Sequence, residues 1–194
     1  MKKVLYILVF VTLATSAIAQ ESFMSWQYSI GFGSGDLKDF VGKTSWRGVT
    51  YNYSKLVNDG VSIGLEIGWN AFYEEKEAAL YTRGDWDFYG KQYRYSNQVP
   101  LLFTIGYYPM YDDDFTPFVN VGIGTMYSED RVTMGTYDIY RDAWPFTLKP
   151  ELGVQFQTGG LGLSLSSKYY YGFKTNDLPS QSFFTINIGF VFTR

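Results

Sequence analysis

The amino-acid sequence predicts an all-β protein, an eight-stranded antiparallel up-and-down transmembrane β-barrel. Bulky apolar and aromatic residues alternate with small or polar residues along eight segments, which is the period of a half-buried strand. The connections also alternate, with short turns after even-numbered segments and longer polar loops after odd-numbered ones. Aromatic residues form 20% of the 194-residue chain, a fraction that is high for a soluble domain and typical of a barrel with two aromatic belts.

The N-terminal segment has the pattern of an export signal. Lys2–Lys3 form a positive region, Val4–Leu13 are apolar, and Ala17–Ala19 provide the small residues that precede a cleavage site. The apolar stretch is shorter than the about 20 residues that a membrane-spanning helix needs. We therefore expect residues 1–19 to be a cleaved signal peptide and residues 20–194 to be the barrel domain, located in the outer membrane of a Gram-negative bacterium.

Eight alternating segments follow the signal, and the third shows the pattern most clearly. There Val61, Ile63, Leu65, Ile67 and Trp69 face one way, and the residues between them, which include Glu66, face the other. The eight segments are 25–32, 49–54, 61–70, 99–107, 119–124, 146–156, 161–171 and 184–192. An even number of strands is what single-chain bacterial barrels require.

Two hairpins predict the register between neighbouring strands. A two-residue turn at Gly159–Gly160 pairs Thr158 with Leu161, and therefore Glu151 with Lys168. In the other hairpin, a three-residue turn at 58–60 pairs Val57 with Val61, and therefore Val49 with Trp69 and Tyr53 with Leu65.

The longest outer loop runs from about Glu74 to Asn97. It either extends its two strands beyond the membrane or forms a helical turn over Glu74–Leu80.

The bulky face is expected to meet lipid. The interior of an eight-stranded barrel is only just wide enough to be filled by side chains, so small and polar residues fit there and the bulky ones do not. In water, the bulky face would far exceed the few hundred Å² of apolar patch that soluble monomers expose. The predicted outer aromatic girdle is Trp69, Tyr127, Trp144 and Tyr171, and the inner one is Tyr53, Tyr107, Phe156 and Phe192.

Three stretches resemble an outer-membrane β-barrel domain family that is common in Bacteroidetes. They are Gln98–Leu102, Pro117–Gly124 and the terminal Ile188–Phe192, which is similar to a barrel assembly signal although Thr193–Arg194 follow it. The resemblance implies a small barrel of the OmpA/OmpX kind. It also implies kinship with members that resemble subunits of a secretion or gliding machinery.

The chain contains no histidine and no cysteine. General base catalysis near neutral pH usually falls to histidine, so we expect a protein that is not an enzyme and has no catalytic residues. Without cysteine there is no thiolate metal site, and we expect neither a metal nor a cofactor. The formal net charge of −3 and the lack of a basic patch argue against nucleic acid as a partner.

Four charged residues are predicted to point into the lumen: Glu66, Lys149, Glu151 and Lys168. One interpretation is a charged constriction that selects or gates solutes. The other is a neutralising network that plugs the lumen, since a buried charge needs a partner. Two Glu and two Lys sum to zero in a narrow barrel, which favours the plug.

The long outer loops have the composition of recognition surfaces, being rich in Tyr, Trp, Asp and Arg. The candidate recognition residues are Trp86, Phe88, Tyr89, Tyr137, Tyr140 and Arg141. The alternative is that these loops only cover the barrel mouth.

The predicted function is therefore a non-enzymatic barrel with a role in envelope structure or surface recognition, with membership of a larger envelope assembly as one form of that role. The alternative is a narrow porin-like channel for small solutes. The expected partners are outer-membrane lipid and lipopolysaccharide, together with other envelope proteins in the assembly case. A complete lipid-facing band is sufficient for a monomeric barrel.

Overall fold

The computed structural model describes residues 22–83, 86–110, 114–158 and 160–193, and the side chains of all of these except 80–83 and 86–88. The predicted signal peptide lies outside these ranges. The described elements are β1 (Ser22–Ser34), α1 (Gly35–Phe40), β2 (Gly48–Asn58), β3 (Val61–Arg83), β4 (Trp86–Tyr107), β5 (Phe115–Met134), β6 (Tyr137–Ala143), β7 (Phe146–Thr158), β8 (Leu161–Gly172) and β9 (Gln181–Thr193).

The strands form one closed antiparallel barrel. Each barrel strand pairs with its sequence neighbours, and β1 closes the sheet against β9 from Phe23–Thr193 to Ser34–Ser182. Strands β4 and β5 also pair along the whole wall, so the sheet has no open edge at membrane level. A membrane-spanning sheet needs this closure because lipid offers no partner to a free N–H or C=O group.

Strand β6 is the outer continuation of β7, so the barrel has eight strands. Both elements pair with β5 in one register, since Ser128 faces Ala143 and Thr125 faces Phe146. The break between them is at Trp144–Pro145. Proline has no N–H to donate to a sheet, which explains the interruption. The predicted fold class is therefore confirmed. The stretch 137–141 was predicted to be part of a loop but forms a strand.

The predicted register is correct along both hairpins except at one turn. Glu151 pairs with Lys168, and Val49 pairs with Trp69. The predicted pairing of Val57 with Val61 is wrong, because Asn58 takes the position opposite Val61 and Val57 is absorbed in a bulge. The turn tightens because Gly60 adopts the left-handed conformation with a φ of 73°.

The hairpin of β3 and β4 extends far beyond the membrane. The two strands have 23 and 22 residues, whereas about 9–11 residues suffice to cross a bilayer. A bulge between Lys76 and Ala79 interrupts the pairing. Of the two alternatives for the longest loop, the strand extension is therefore correct and the helical turn at Glu74–Leu80 is wrong.

The outer wall carries the predicted apolar band. Along the membrane-spanning parts of the strands, exposed apolar residues alternate with buried small, polar or charged ones. Members of both predicted girdles face outward, including Trp69 and Trp144 at one end and Tyr107 and Phe192 at the other. Tyr127 packs beside Trp144 with ring centroids 5.2 Å apart. Among the described residues, no helix is long and apolar enough to cross a membrane.

The lipid-facing assignment predicts that a charge is costly on the band and tolerated above it. Val121 lies midway along the lipid-facing part of β5, so Val121→Arg should destabilise the barrel folded in lipid vesicles by about 2–4 kcal/mol. The matched control is Tyr140→Arg in β6. Tyr140 is 67% exposed against 56% for Val121 but lies in water, so this change should alter stability by less than about 0.5 kcal/mol. Denaturant titration of both variants in vesicles measures the difference. Equal costs at the two sites would show that Val121 does not face lipid.

Candidate functional site: the closed lumen and the extracellular sheet

The four predicted lumen charges meet at the centre of the barrel. The Lys149 ammonium donates to Glu66 Oε2 at 2.9 Å and to Glu151 Oε2 at 2.6 Å. The Lys168 ammonium donates to Glu66 Oε2 at 3.0 Å and lies 3.8 Å from Glu151 Oε1. The Tyr170 hydroxyl donates to Glu66 Oε1 at 2.8 Å. Each carboxylate is therefore shared between two ammonium groups.

The alternation of the strands explains this convergence. Each of the four charges occupies an inward position of β3, β7 or β8, and each residue is at most 6% exposed. Two negative and two positive groups cancel, which a water-poor site requires. Tyr170 lies two residues after Lys168 in β8, so alternation places it inward as well. Its hydrogen bond to Glu66 could not be predicted, because it depends on the distance across the lumen.

An apolar cluster closes the outer mouth of the barrel. Leu37 and Val41, from α1 and the residue after it, insert into the lumen and are fully buried. They pack with Phe72, Leu102, Met126, Tyr170 and Phe183. The Phe183 ring stacks on Tyr170 with centroids 4.7 Å apart. This outer plug was not predicted, because Leu37 and Val41 lie outside the alternating segments.

Polar contacts fasten the outer plug to three other parts of the chain. The Asp36 carboxylate accepts hydrogen bonds from the backbone N–H and the hydroxyl of Ser180. The Arg94 guanidinium donates to the Phe40 carbonyl at 3.0 Å and lies over the Phe40 ring. The Glu74 carboxylate accepts from the backbone N–H of residue 42. The plug is thus a fixed part of the barrel.

Three stacked aromatic rings fill the opposite end of the barrel, which carries the short turns and is therefore the periplasmic end. The Phe23 ring lies 5.4 Å from that of Tyr108, which in turn lies 5.2 Å from that of Phe118. Leu56 and Val191 pack beside Phe23, and all five residues are buried. Side chains therefore occupy the lumen at three levels.

Strands β3 to β6 form a sheet above the membrane, and this sheet carries the predicted recognition residues on two faces. Tyr89 and Tyr140 point away from the barrel axis and are 79% and 67% exposed. Tyr137 and Arg141 follow the opposite parity in β6, and Arg141 lies across from Asp130. Trp86 and Phe88 belong to β4, but their side chains lie outside the described residues. The structure thus divides the four described candidates between two faces of the sheet.

An ion pair crosses the outward face of this sheet. The Lys91 ammonium donates to Glu75 Oε1 at 2.6 Å. This hydrogen bond holds the pKa of the Glu75 carboxyl below its ordinary value and raises the pKa of Lys91. Within the described ranges, no three side chains of the metal-ligating types come together as a metal site.

The comparisons show a fold and no closer kinship. No protein-family model matches the chain, and no curated protein does. A major outer membrane protein from Thermus thermophilus matches with a TM-score of 0.57 and 11% identity, over 90% of this chain and 99% of that one. Neisserial surface protein A matches with a TM-score of 0.52 and 12% identity, over 89% and 96%. OprG from Pseudomonas aeruginosa matches with a TM-score of 0.51 and 11% identity, over 91% and 96%.

These neighbours and the apolar band lead to the same conclusion. The chain is similar to small outer-membrane barrels of the OmpA/OmpX kind. The predicted location in the outer membrane is confirmed.

The central charges are expected to act as one unit. Lys168→Met removes one of four mutually neutralising charges and should destabilise the barrel by about 3–5 kcal/mol, because a buried negative charge is left uncompensated. The double variant Lys168→Met/Glu151→Gln restores neutrality and should recover much of that loss. Denaturant midpoints of refolded protein measure both effects.

Lys174→Met is the matched control, since Lys174 is an exposed residue in the loop after β8. It should leave the denaturant midpoint unchanged. A Lys168→Met variant as stable as this control would contradict the closed network.

Proposed function

We propose that this protein is a non-enzymatic outer-membrane barrel that anchors an extracellular recognition sheet. The observation that supports the proposal is the contrast between the membrane-spanning barrel and the sheet above it. Side chains close the barrel at the level of Glu66 and at both ends, whereas strands β3 to β6 continue above the membrane with exposed tyrosines. A closed body with a protruding sheet suits binding at the cell surface better than transport.

The closed lumen argues against the alternative of a narrow channel. An open water path requires lumen charges that are not closed into pairs. Here each of the four is within 4 Å of an opposite charge. The interior of an eight-stranded barrel holds little beyond its own side chains.

The extracellular sheet has the chemistry of a recognition surface. Tyrosine provides a large, rigid contact area together with a hydroxyl, and it is enriched at interfaces. Tyr89 and Tyr140 present their rings to solvent on the outward face, and Tyr137 is 63% exposed on the other. This placement supports binding by the sheet itself, with either face as the contact.

Family membership and assembly are part of the same proposal. The stretches Gln98–Leu102 and Pro117–Gly124, which resemble the Bacteroidetes barrel domain family, lie in the lipid-spanning parts of β4 and β5. We propose from this resemblance that the chain belongs to that family. The lipid-facing band supports a monomeric barrel. We propose that this barrel contacts lipopolysaccharide and binds other envelope proteins through its extracellular sheet.

A shortened hairpin tests the recognition role. Lys76 pairs with Gln92, so replacing residues 77–91 by Asn-Gly creates a two-residue hairpin turn at an existing pair. The barrel should fold as before, because the plugs and the charge network remain. Affinity-tagged wild-type and shortened proteins are purified from native outer membranes in gentle detergent, and co-purifying proteins are quantified by mass spectrometry. A stoichiometric partner should follow the wild type and be lost from the shortened variant.

Point variants control for the size of the deletion. Tyr137→Ser/Tyr140→Ser removes two exposed rings and should weaken capture, whereas Tyr137→Phe/Tyr140→Phe keeps the rings and should retain it. A partner captured equally by all variants would contradict recognition through the sheet. A barrel that is recovered alone would contradict the assembly role.

A further inference from the structure

A polar pocket of about 520 Å³ lies on the outer wall of the barrel, apart from the lumen and from the tip of the sheet. The segment Lys43–Arg47 forms one side, and Ala71 and Tyr73 of β3 form the other. Ser45 holds the segment in place, since its backbone pairs with Gly31 and its hydroxyl donates to the Ala71 carbonyl. The pocket is therefore built on the strands.

The pocket lies at the level of lipid headgroups. Ala71 and Tyr73 continue the outward series of β3 beyond Trp69, which belongs to the outer girdle. Ala71 lies two residues beyond Trp69, a rise of about 7 Å along the strand, so the pocket begins just above the apolar band, where the lipid headgroups lie. Trp46 is 64% exposed at its rim, as expected of an aromatic residue at a membrane interface.

Two cationic side chains in the pocket are not neutralised by a contacting acid. Lys43 and Arg47 are exposed, and neither forms an ion pair within the described part of the chain. The residues that line the pocket include these two cations and no acid. Two acids lie beside it: Glu74 accepts from the backbone N–H of residue 42, and Glu75 binds Lys91 and also attracts Lys43. The pocket therefore presents a net positive charge to an anion, and guanidinium and ammonium groups bind phosphate well.

An apolar groove of about 430 Å³ lies lower on the outer wall, on β2, β3 and β4, and shares β3 with the pocket. Its lining contains Glu66 and Leu102, which have inward parity, and six outward residues: Tyr51 and Tyr53 of β2, Leu65 and Ile67 of β3, and Leu101 and Phe103 of β4. All six side chains face lipid. Ala71 lies four positions beyond Ile67, so groove and pocket are about 13 Å apart along β3.

We propose that this wall binds one phosphate-bearing lipid of the outer leaflet. Lys43 and Arg47 hold the phosphate at the headgroup level, and an acyl chain lies in the groove below. A free anion would use only the pocket, and a neutral lipid would use only the groove. Their succession along β3 favours a ligand that carries both features. The inference rests on the proposed contact with lipopolysaccharide but not on the recognition role of the extracellular sheet.

Native mass spectrometry of the purified, delipidated barrel tests the proposal. The probes are bisphosphorylated lipid A, the same lipid without phosphates, and inorganic phosphate. The wild type should bind bisphosphorylated lipid A at least tenfold more tightly than the dephosphorylated form, since a charge-assisted contact is worth roughly a factor of ten. Inorganic phosphate should bind more weakly than lipid A.

Two variants separate the headgroup from the acyl chain. Lys43→Gln/Arg47→Gln should weaken binding of bisphosphorylated lipid A by roughly tenfold or more, whereas Lys38→Gln/Lys174→Gln removes the same charge elsewhere on the outer side and should change it less than twofold. Ile67→Trp fills the groove and should weaken lipid A binding without changing the affinity for inorganic phosphate.

Three outcomes would overturn the proposal. They are equal affinity of the wild type for the two lipid A forms, equal loss in the two charge variants, and phosphate binding as tight as lipid A binding. The first comparison uses only the wild-type protein, so it remains decisive if a variant fails to fold. Heat-modifiable gel mobility establishes folding for each variant.

Discussion

A bilayer offers no hydrogen-bond partner to a peptide group, so every N–H and C=O of a spanning strand has to pair with another strand. The pairings of β1 with β9 and of β4 with β5 meet this requirement by closing the sheet. Closure with eight strands fixes a narrow interior, and the side chains that face it have to fill it and to neutralise one another. The arrangement around Glu66 is a direct consequence of this constraint.

Because the lumen is filled, other molecules can bind only to the outside of the barrel. Glu66 is shared by two lysines and Tyr170, the outer mouth is closed by Leu37 and its neighbours, and aromatic rings fill the periplasmic end. What remains available to other molecules is the extracellular sheet and the outer wall. Strands β3 to β6 provide the first, and the pocket beside Arg47 provides the second.

Much of the barrel was predictable because a strand has a period of two. The inward positions of Glu66 and Lys168 and the pairing of Glu151 with Lys168 follow from alternation and turn length. Alternation does not reveal a bulge, so the predicted register at Val57 was wrong. It also does not reveal that the residues before Pro145 form β6, which continues β7 on the outer side of the membrane. The outer plug was missed because α1 has no periodicity of its own. Tyr140 and Arg141 are consecutive residues of β6 and therefore lie on opposite faces. The sequence did not predict this because it assigned both residues to a loop.

The central claim is that the barrel is closed, and the ionic conductance of the purified wild-type protein in a planar lipid bilayer tests it most directly. A larger porin reconstituted in the same membrane serves as the positive control. A closed lumen predicts a current indistinguishable from that of the bare bilayer, although the protein is shown to be inserted. Discrete, reproducible current steps through the folded wild-type barrel would contradict the closed lumen and favour a narrow channel as the function.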